Sequence, residues 1–315
     1  MTQALPEGYT VRGGRYAEDV DEVTELYGAC DRVDVGFEDV SRPIIDDHWR
    51  AERFEPALDA ALIHAVDGTL VASGESGWEP GGAVDTFNRV HPDHRGRGLG
   101  SWLIAWSEGR AADHVSAGAA PTLQIATPGP DRAASALLEA AAYRLVRTFW
   151  HMDRALDDLG EAHPAPKGIR IDAAVIPRDL PELHACLEEA FEGHFGVVGV
   201  PFEEWRAQIF EGRDADPGLF LLAWDGPSLA GAVVSAPADD IGWIRDVAVR
   251  GAWRGQGIGE ALMWATFAVL AERGFLRARL NVDASNETGA TRLYERVGMA
   301  VRREWLVYEK PLGAG

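Results

Sequence analysis

Trp243-Ile244-Arg245-Asp246-Val247-Ala248-Val249, followed shortly by Arg254-Gly255-Gln256-Gly257-Ile258-Gly259, is the stretch from which the rest of the chain is read. An apolar strand runs into a loop with glycine at every second position. A helix follows, with Ile258, Leu262, Ala265 and Val269 on one face and Gly274 as its stop. The first N–H groups of a helix have no partner inside it and sit at the positive end of its dipole. Glycines before them remove the Cβ atoms that would keep a bulky anion off the backbone. Such a loop is suited to phosphate or diphosphate. A dinucleotide-binding turn needs G-x-G-x-x-G, and a P-loop needs Gly-Lys before Ser or Thr; the spacing here is G-x-G-x-G.

The same loop occurs half a chain earlier, as Arg95-Gly96-Arg97-Gly98-Leu99-Gly100. Other features repeat at nearly the same offset. Asp67-Gly68 and Asp225-Gly226 each sit between apolar stretches and read as hairpin turns, because glycine tolerates positive φ. The opening strand and helix near Tyr9 to Tyr27 match those near Ile169 to Phe191, where Leu180, Leu183, Leu187 and Phe191 fall at helical spacing. Asp157 to Lys167, polar and interrupted by proline, reads as a linker. The expectation is two tandem α/β domains, 1–156 and 168–315, each a mixed, mostly antiparallel sheet flanked by helices. In the second, a strand at Ala278–Val282, a helix and a terminal strand at Glu304–Tyr308 complete the domain.

The chain has 315 residues, 46% of them hydrophobic and 25% charged, enough for two ordinary cores. The formal charge of −20 argues against nucleic acid or an anionic membrane as partner. Cys30 and Cys186 lie far apart with no ligand spacing around them, so neither a disulfide framework nor a thiolate metal site is expected. The N-terminus lacks the basic start and apolar stretch of a signal peptide, and no apolar run is long enough to span a bilayer. A cytoplasmic protein, monomeric or homodimeric, is the expectation.

Arg254-x-x-Gly257-x-Gly259 and Arg95-x-x-Gly98-x-Gly100 resemble the R/Q-x-x-G-x-G/A signature of the GNAT superfamily of acyl-CoA-dependent N-acyltransferases. Leu280-Asn281-Val282, Asn286, Ala290, Leu293-Tyr294 and Gly298-Met299 are similar to the family's later segment, so the resemblance covers nearly the whole chain. It implies a strand splayed away from its neighbour, with the pantetheine arm of acetyl-CoA lying in the gap like an added strand. Val247 and Val249 would meet that arm, Arg254, Gly255, Gln256, Gly257, Ile258 and Gly259 would hold the diphosphate, and Asn286 would lie near the arm. Arg95, Gly96, Arg97, Gly98 and Gly100 would do the same in the first half. The activity implied is acetyl transfer to a primary amine of a small molecule. The tandem architecture resembles members that acetylate the cysteinyl amine of a glucosaminyl-inositol conjugate, although the early strand glutamate expected there is replaced by Trp243 and Ile244. A non-enzymatic acyl-CoA sensor or scaffold is the competing class.

Within the resemblance, Tyr294 is placed as acid toward the leaving sulfur; otherwise it is a buried tyrosine satisfied by a backbone carbonyl. Asp246 is either the base that takes the amine proton or a partner of Arg245. Glu192, His194, Glu203, Glu204 and Trp205 fall where the family lines its acceptor site. The first half departs from the pattern: Leu138 stands opposite Tyr294, and Pro130 opposite Asn286. That half is expected to lack turnover, and either binds CoA or serves as a buttress.

Overall fold

The computed structural model describes residues 4–51, 53–78, 83–116, 122–160, 163–193, 199–211, 216–286 and 288–312. Its contacts fall into two compact units, Met1–Phe149 with Arg303–Gly315, and Trp150–Arg302. In chain order the elements are β1 (Tyr9–Gly13), α1 (Val20–Asp34), α2 (Arg42–Trp49), α3 (Pro56–Asp59), β2 (Ala60–Ala65), β3 (Leu70–Trp78), β4 (Val84–Val90), α4 (Leu99–Ser116), β5 (Thr122–Pro128) and α5 (Arg132–Ala140). They continue as β6 (Arg144–Ala155), β7 (Ile169–Ala173), α6 (Leu180–Phe191), α7 (Phe202–Glu211), β8 (Phe220–Asp225), β9 (Ser228–Ala238) and β10 (Ile241–Val249). The last are α8 (Ile258–Glu272), β11 (Arg277–Asp283), α9 (Ala290–Arg296) and β12 (Ala300–Pro311).

The repeat read in the sequence is a repeat of contacts. Asp19 and Asp179 stand just before α1 and α6, and each carboxylate accepts a backbone N–H four residues earlier, from Arg15 and Val175, at 2.7 Å. Each Asp-Gly turn closes an antiparallel hairpin, β2–β3 and β8–β9, with Gly68 at φ +88 and Gly226 at φ +55. The first unit orders its strands β1-β2-β3-β4-β5-β12, and the second β6-β11-β10-β9-β8-β7. The pairs β4–β5 and β10–β11 are parallel, while the hairpin pairs are antiparallel. Each sheet is covered on both faces. In the second unit, α8 packs Leu262, Met263 and Phe267 on one side and α6 packs Leu183 and Leu187 on the other.

The closing strands depart from the expected boundaries. The terminal strand does not complete the second repeat: β12 pairs with β5 from Trp305↔Pro128 to Pro311↔Thr122, and its Leu306 and Tyr308 join Leu123, Ile125 and Leu138 in the first unit's core. Conversely β6, which follows the first repeat, lies beside β11, and its Met152 is buried with Leu280 and Val282. Charge reinforces each exchange. Arg303, fully buried, meets Asp31 and Asp39 at 2.9 Å, and Asp153 on β6 meets Arg277 at 2.8 Å.

Candidate functional site

In the second unit β10 pairs with β11 only from Ile241↔Arg277 to Ile244↔Leu280, yet continues against β9 as far as Val249↔Gly231. From Arg245 onward one edge of β10 is therefore released. The register against β9 jumps between Ile244 and Asp246, a bulge that falls where the two strands part. A bulge bends the strand and re-aims its side chains. The splayed strands expected from the sequence are thus formed.

The released strand leads into the glycine loop. Gly255 and Gly257 have φ of +75 and +80, which a side chain would strain, and Gly257 is the N-cap of α8. A Cβ on Gly255 would meet nothing within 4 Å, so the loop is open above its backbone. Gly259 serves packing instead. A Cβ there would come within 3.1 Å of Leu293, so its absence lets α8 approach α9. Arg254 turns away from the cradle. Its Nε donates to the Val249 carbonyl at 3.1 Å, bracing the strand end that the splay leaves open. Gln256 likewise donates back to the Ala252 carbonyl at 3.1 Å. The diphosphate would be left to the backbone amides. Asn286 accepts from the Thr288 N–H at 2.9 Å and so caps the turn into α9.

Tyr294 on α9 is 7% exposed and packs in the core that includes Leu280 and Val282. Among the described residues its hydroxyl makes no hydrogen bond, to a carbonyl or to any other group. Burial, and the nearby charge of Asp246, push its pKa up, which keeps the phenol protonated. Asp246 makes no ion pair among the described residues, and Arg245 acts on it only through space. Desolvation dominates, and the carboxyl is raised above its ordinary value. The two candidate chemical groups are therefore within electrostatic reach of each other, beside the splay. A carboxyl raised by desolvation and a phenol that stays protonated are the two kinds of group that proton transfer at neutral pH requires.

On the α6–α7 face, His184, Phe202 and Trp205 pack ring against ring, with His184 and Trp205 centroids 5.0 Å apart. Glu192 is exposed at the end of α6, and Glu203 pairs with Arg206 at 2.9 Å. His194 lies outside the described residues.

The first unit carries the same frame with different contents. β4 pairs with β5 only over Val84–Thr86, then parts from it. Gly96 and Gly98 have φ of +74 and +85, and Arg95 donates to the Val90 carbonyl while pairing with Asp34 at 2.7 Å. Arg97 is turned outward onto the Asp93 carbonyl and Tyr9. A cavity of about 490 Å³ runs from Gly96, Gly98 and Leu99 past Asn88 and Arg89 to Thr127, Pro128 and Leu138. At the positions of Asp246 and Tyr294, however, stand Phe87 and Leu138. Phe87 lies opposite Glu75 as Asp246 lies opposite Val234. Sequence reasoning missed the polar group behind this strand. Glu75, 2% exposed, accepts from Tyr27 at 3.1 Å and lies 3.2 Å from His48, and Arg89 stands over Tyr27. Its signal was a departure from the repeat, since the matching positions carry Val234 and Ala248.

No described helix is long and apolar enough to cross a membrane, and no cluster of His, Cys, Asp or Glu among the described residues could hold a metal ion.

The model of the acetyltransferase (GNAT) family matches residues 20–143 and again 180–299. The chain is 31% identical to a mycothiol acetyltransferase of Thermobispora bispora, over 82% of this chain and 86% of that one. A crystal structure of a GCN5-related N-acetyltransferase from Sphaerobacter thermophilus superposes with a TM-score of 0.89 at 32% identity, covering 99% of this chain and 98% of the other. A tandem GNAT protein from the clavulanic acid biosynthesis pathway shares the fold, with a TM-score of 0.72 at 15% identity over 98% and 99% of the two chains.

Proposed function

The chain belongs to the acetyltransferase (GNAT) family and is an N-acetyltransferase that uses acetyl-CoA, and from that premise we propose that transfer occurs in its second unit, to a primary amine of a small molecule. The observation that carries this reading is that Asp246 stands on the part of β10 released from β11 and Tyr294 is buried in the core with Leu280 of β11, against Phe87 and Leu138 at the same places in the first unit. The residues fit the donor. Open amides around Gly255 and Gly257 suit its diphosphate, and the unpaired edge of β10 over Val247 and Val249 suits an extended pantetheine. Acetyl-CoA supplies the activated thioester; the chain supplies position and protons. As the amine nitrogen bonds to the acyl carbon and the carbon–sulfur bond breaks, Asp246 takes the proton from nitrogen and Tyr294 gives one to sulfur. Solvent then returns a proton from Asp246 to Tyr294, restoring both.

The acceptor would enter over α6 and α7, where the His184–Phe202–Trp205 rings and the carboxylates of Glu192, Glu203 and Glu204 suit an amine. A narrower reading, that the acceptor is the one implied by mycothiol acetyltransferase relatives, is favoured by 31% identity over most of the chain. Trp243 and Ile244, apolar where that reading expects a carboxylate, weigh against it. In the first unit the cavity and positive-φ glycines support a bound CoA thioester, and the loss of both chemical groups supports binding without turnover.

The test is thiol release from acetyl-CoA across a panel of primary amines, including cysteinyl conjugates. Release with at least one amine is expected. Binding of acetyl-CoA with no release from any of them would favour a sensor.

A further inference from the structure

We propose that the cleft of the first unit is built for a CoA thioester whose acyl group ends in a carboxylate, and that Arg89 is the residue that reads it. This rests on the reading of that cleft as a CoA site and goes beyond it by naming the ligand's charge.

Among the described residues, Arg89 is a buried cation without an ion-pair partner. It is 4% exposed, on the part of β4 released from β5, and lines the cavity that starts at the glycine loop. Among the described residues it makes no ion pair. One terminal nitrogen donates to the Asn88 carbonyl at 3.1 Å, while its Nε has no partner. The rings of Tyr27 and Trp305 lie 5.2 and 5.0 Å from its guanidinium carbon. Ring faces offset part of the cost of a buried charge, but they accept nothing from the in-plane N–H groups. Glu75 makes no ion pair with it; its carboxylate accepts from Tyr27 and lies 3.2 Å from His48. Buried polar groups left unpaired are costly, and an unpaired guanidinium matches a carboxylate in shape and charge.

The position fixes which part of a ligand would arrive there. With the diphosphate on the amides after Arg95, an extended arm would run back along β4 and bring its acyl end to the Leu138 end of the cavity, beside the position of Phe87 and two residues along the strand from Arg89, whose side chain lines the same cavity. The second unit has no such demand: the matching position is Ala248, fully buried, facing Ala232. The two clefts thus differ at the acyl end. The second offers an acid–base pair to a small neutral acyl group, and the first offers a buried cation and no acid–base pair.

The experiment uses the full chain with Gly257→Val, which closes the second cradle, and titrates succinyl-CoA and acetyl-CoA by calorimetry. Succinyl-CoA is expected to bind about tenfold to a hundredfold more tightly, the range of a charge-assisted hydrogen bond. Adding Arg89→Met should bring the ratio close to one. Equal affinities without the Arg89 substitution overturn the proposal, and that measurement stands even if Arg89→Met fails to fold. A preference that survives Arg89→Met overturns it as well, since another group must then read the charge. If neither thioester binds, the cleft is not a CoA site and the reading beneath the proposal fails with it. Loss of all binding and loss of the ratio alone are distinct results.

Discussion

At the residue scale, the fold shifts the ionisation of two side chains in directions that suit acyl transfer. Burial keeps the Tyr294 phenol protonated and desolvation makes Asp246 a stronger base. Tyr294→Phe should lower kcat by about 100-fold or more while acetyl-CoA affinity changes little, the range for losing a proton donor; steady-state kinetics beside a binding titration checks it. Activity should fall as pH drops through the raised value of Asp246, and that acid limb should vanish from the residual activity of Asp246→Asn. The same shift has a sign for stability. An aspartate whose folded pKa lies above its unfolded value binds more protons when folded, so it weakens the fold as pH rises between the two values. Asp246→Asn should therefore raise Tm at neutral pH and leave it unchanged where both states are protonated. Tyr294 was legible from its place in the Leu293-Tyr294 pattern. The choice between base and ion pair for Asp246 was not, because it depends on where Arg245 points after a bulge.

At the scale of elements, the glycine loop was legible because its demands are local. Gly257 must adopt positive φ to start α8, and nothing but glycine does so without strain. Gly257→Val should abolish acetyl-CoA binding in the second unit, read by calorimetry, with the melting transition as the control for folding. The direction of Arg254 was not legible, since the signature says only that an arginine precedes the loop. Its bond to the Val249 carbonyl makes it a brace of the splay. Arg254→Ala is accordingly expected to lower stability by about 1 kcal/mol through the lost hydrogen bond, in addition to any loss of affinity; chemical denaturation without ligand separates the two. The polar group around Glu75 escaped notice because its members come from α1, α2, β3 and β4, and no single stretch of sequence holds them together.

At the scale of the whole molecule, the two repeats trade their closing strands. A sequence repeat predicts that each half finishes its own sheet, and nothing in the alternating pattern of β6 or β12 says which edge it will pair with. Packing decides: Leu306 and Tyr308 fill the first unit's core, and Arg303 neutralises Asp31 and Asp39 there. Removing Arg303–Gly315 should therefore unfold the first unit rather than the second, seen as loss of hydrogen-exchange protection in β4 and β5. Arg303→Met should destabilise it by about 3–5 kcal/mol, since two buried carboxylates lose their cation. Whether the second unit brings a thioester to Tyr294 is tested most directly by a crystal structure with acetyl-CoA bound. The expected complex has the diphosphate on the amides of Gly255 to Gly259 and the thioester sulfur within about 3.5 Å of the Tyr294 hydroxyl. A sulfur held well beyond that reach, or a second cradle left empty while the first is filled, would contradict it.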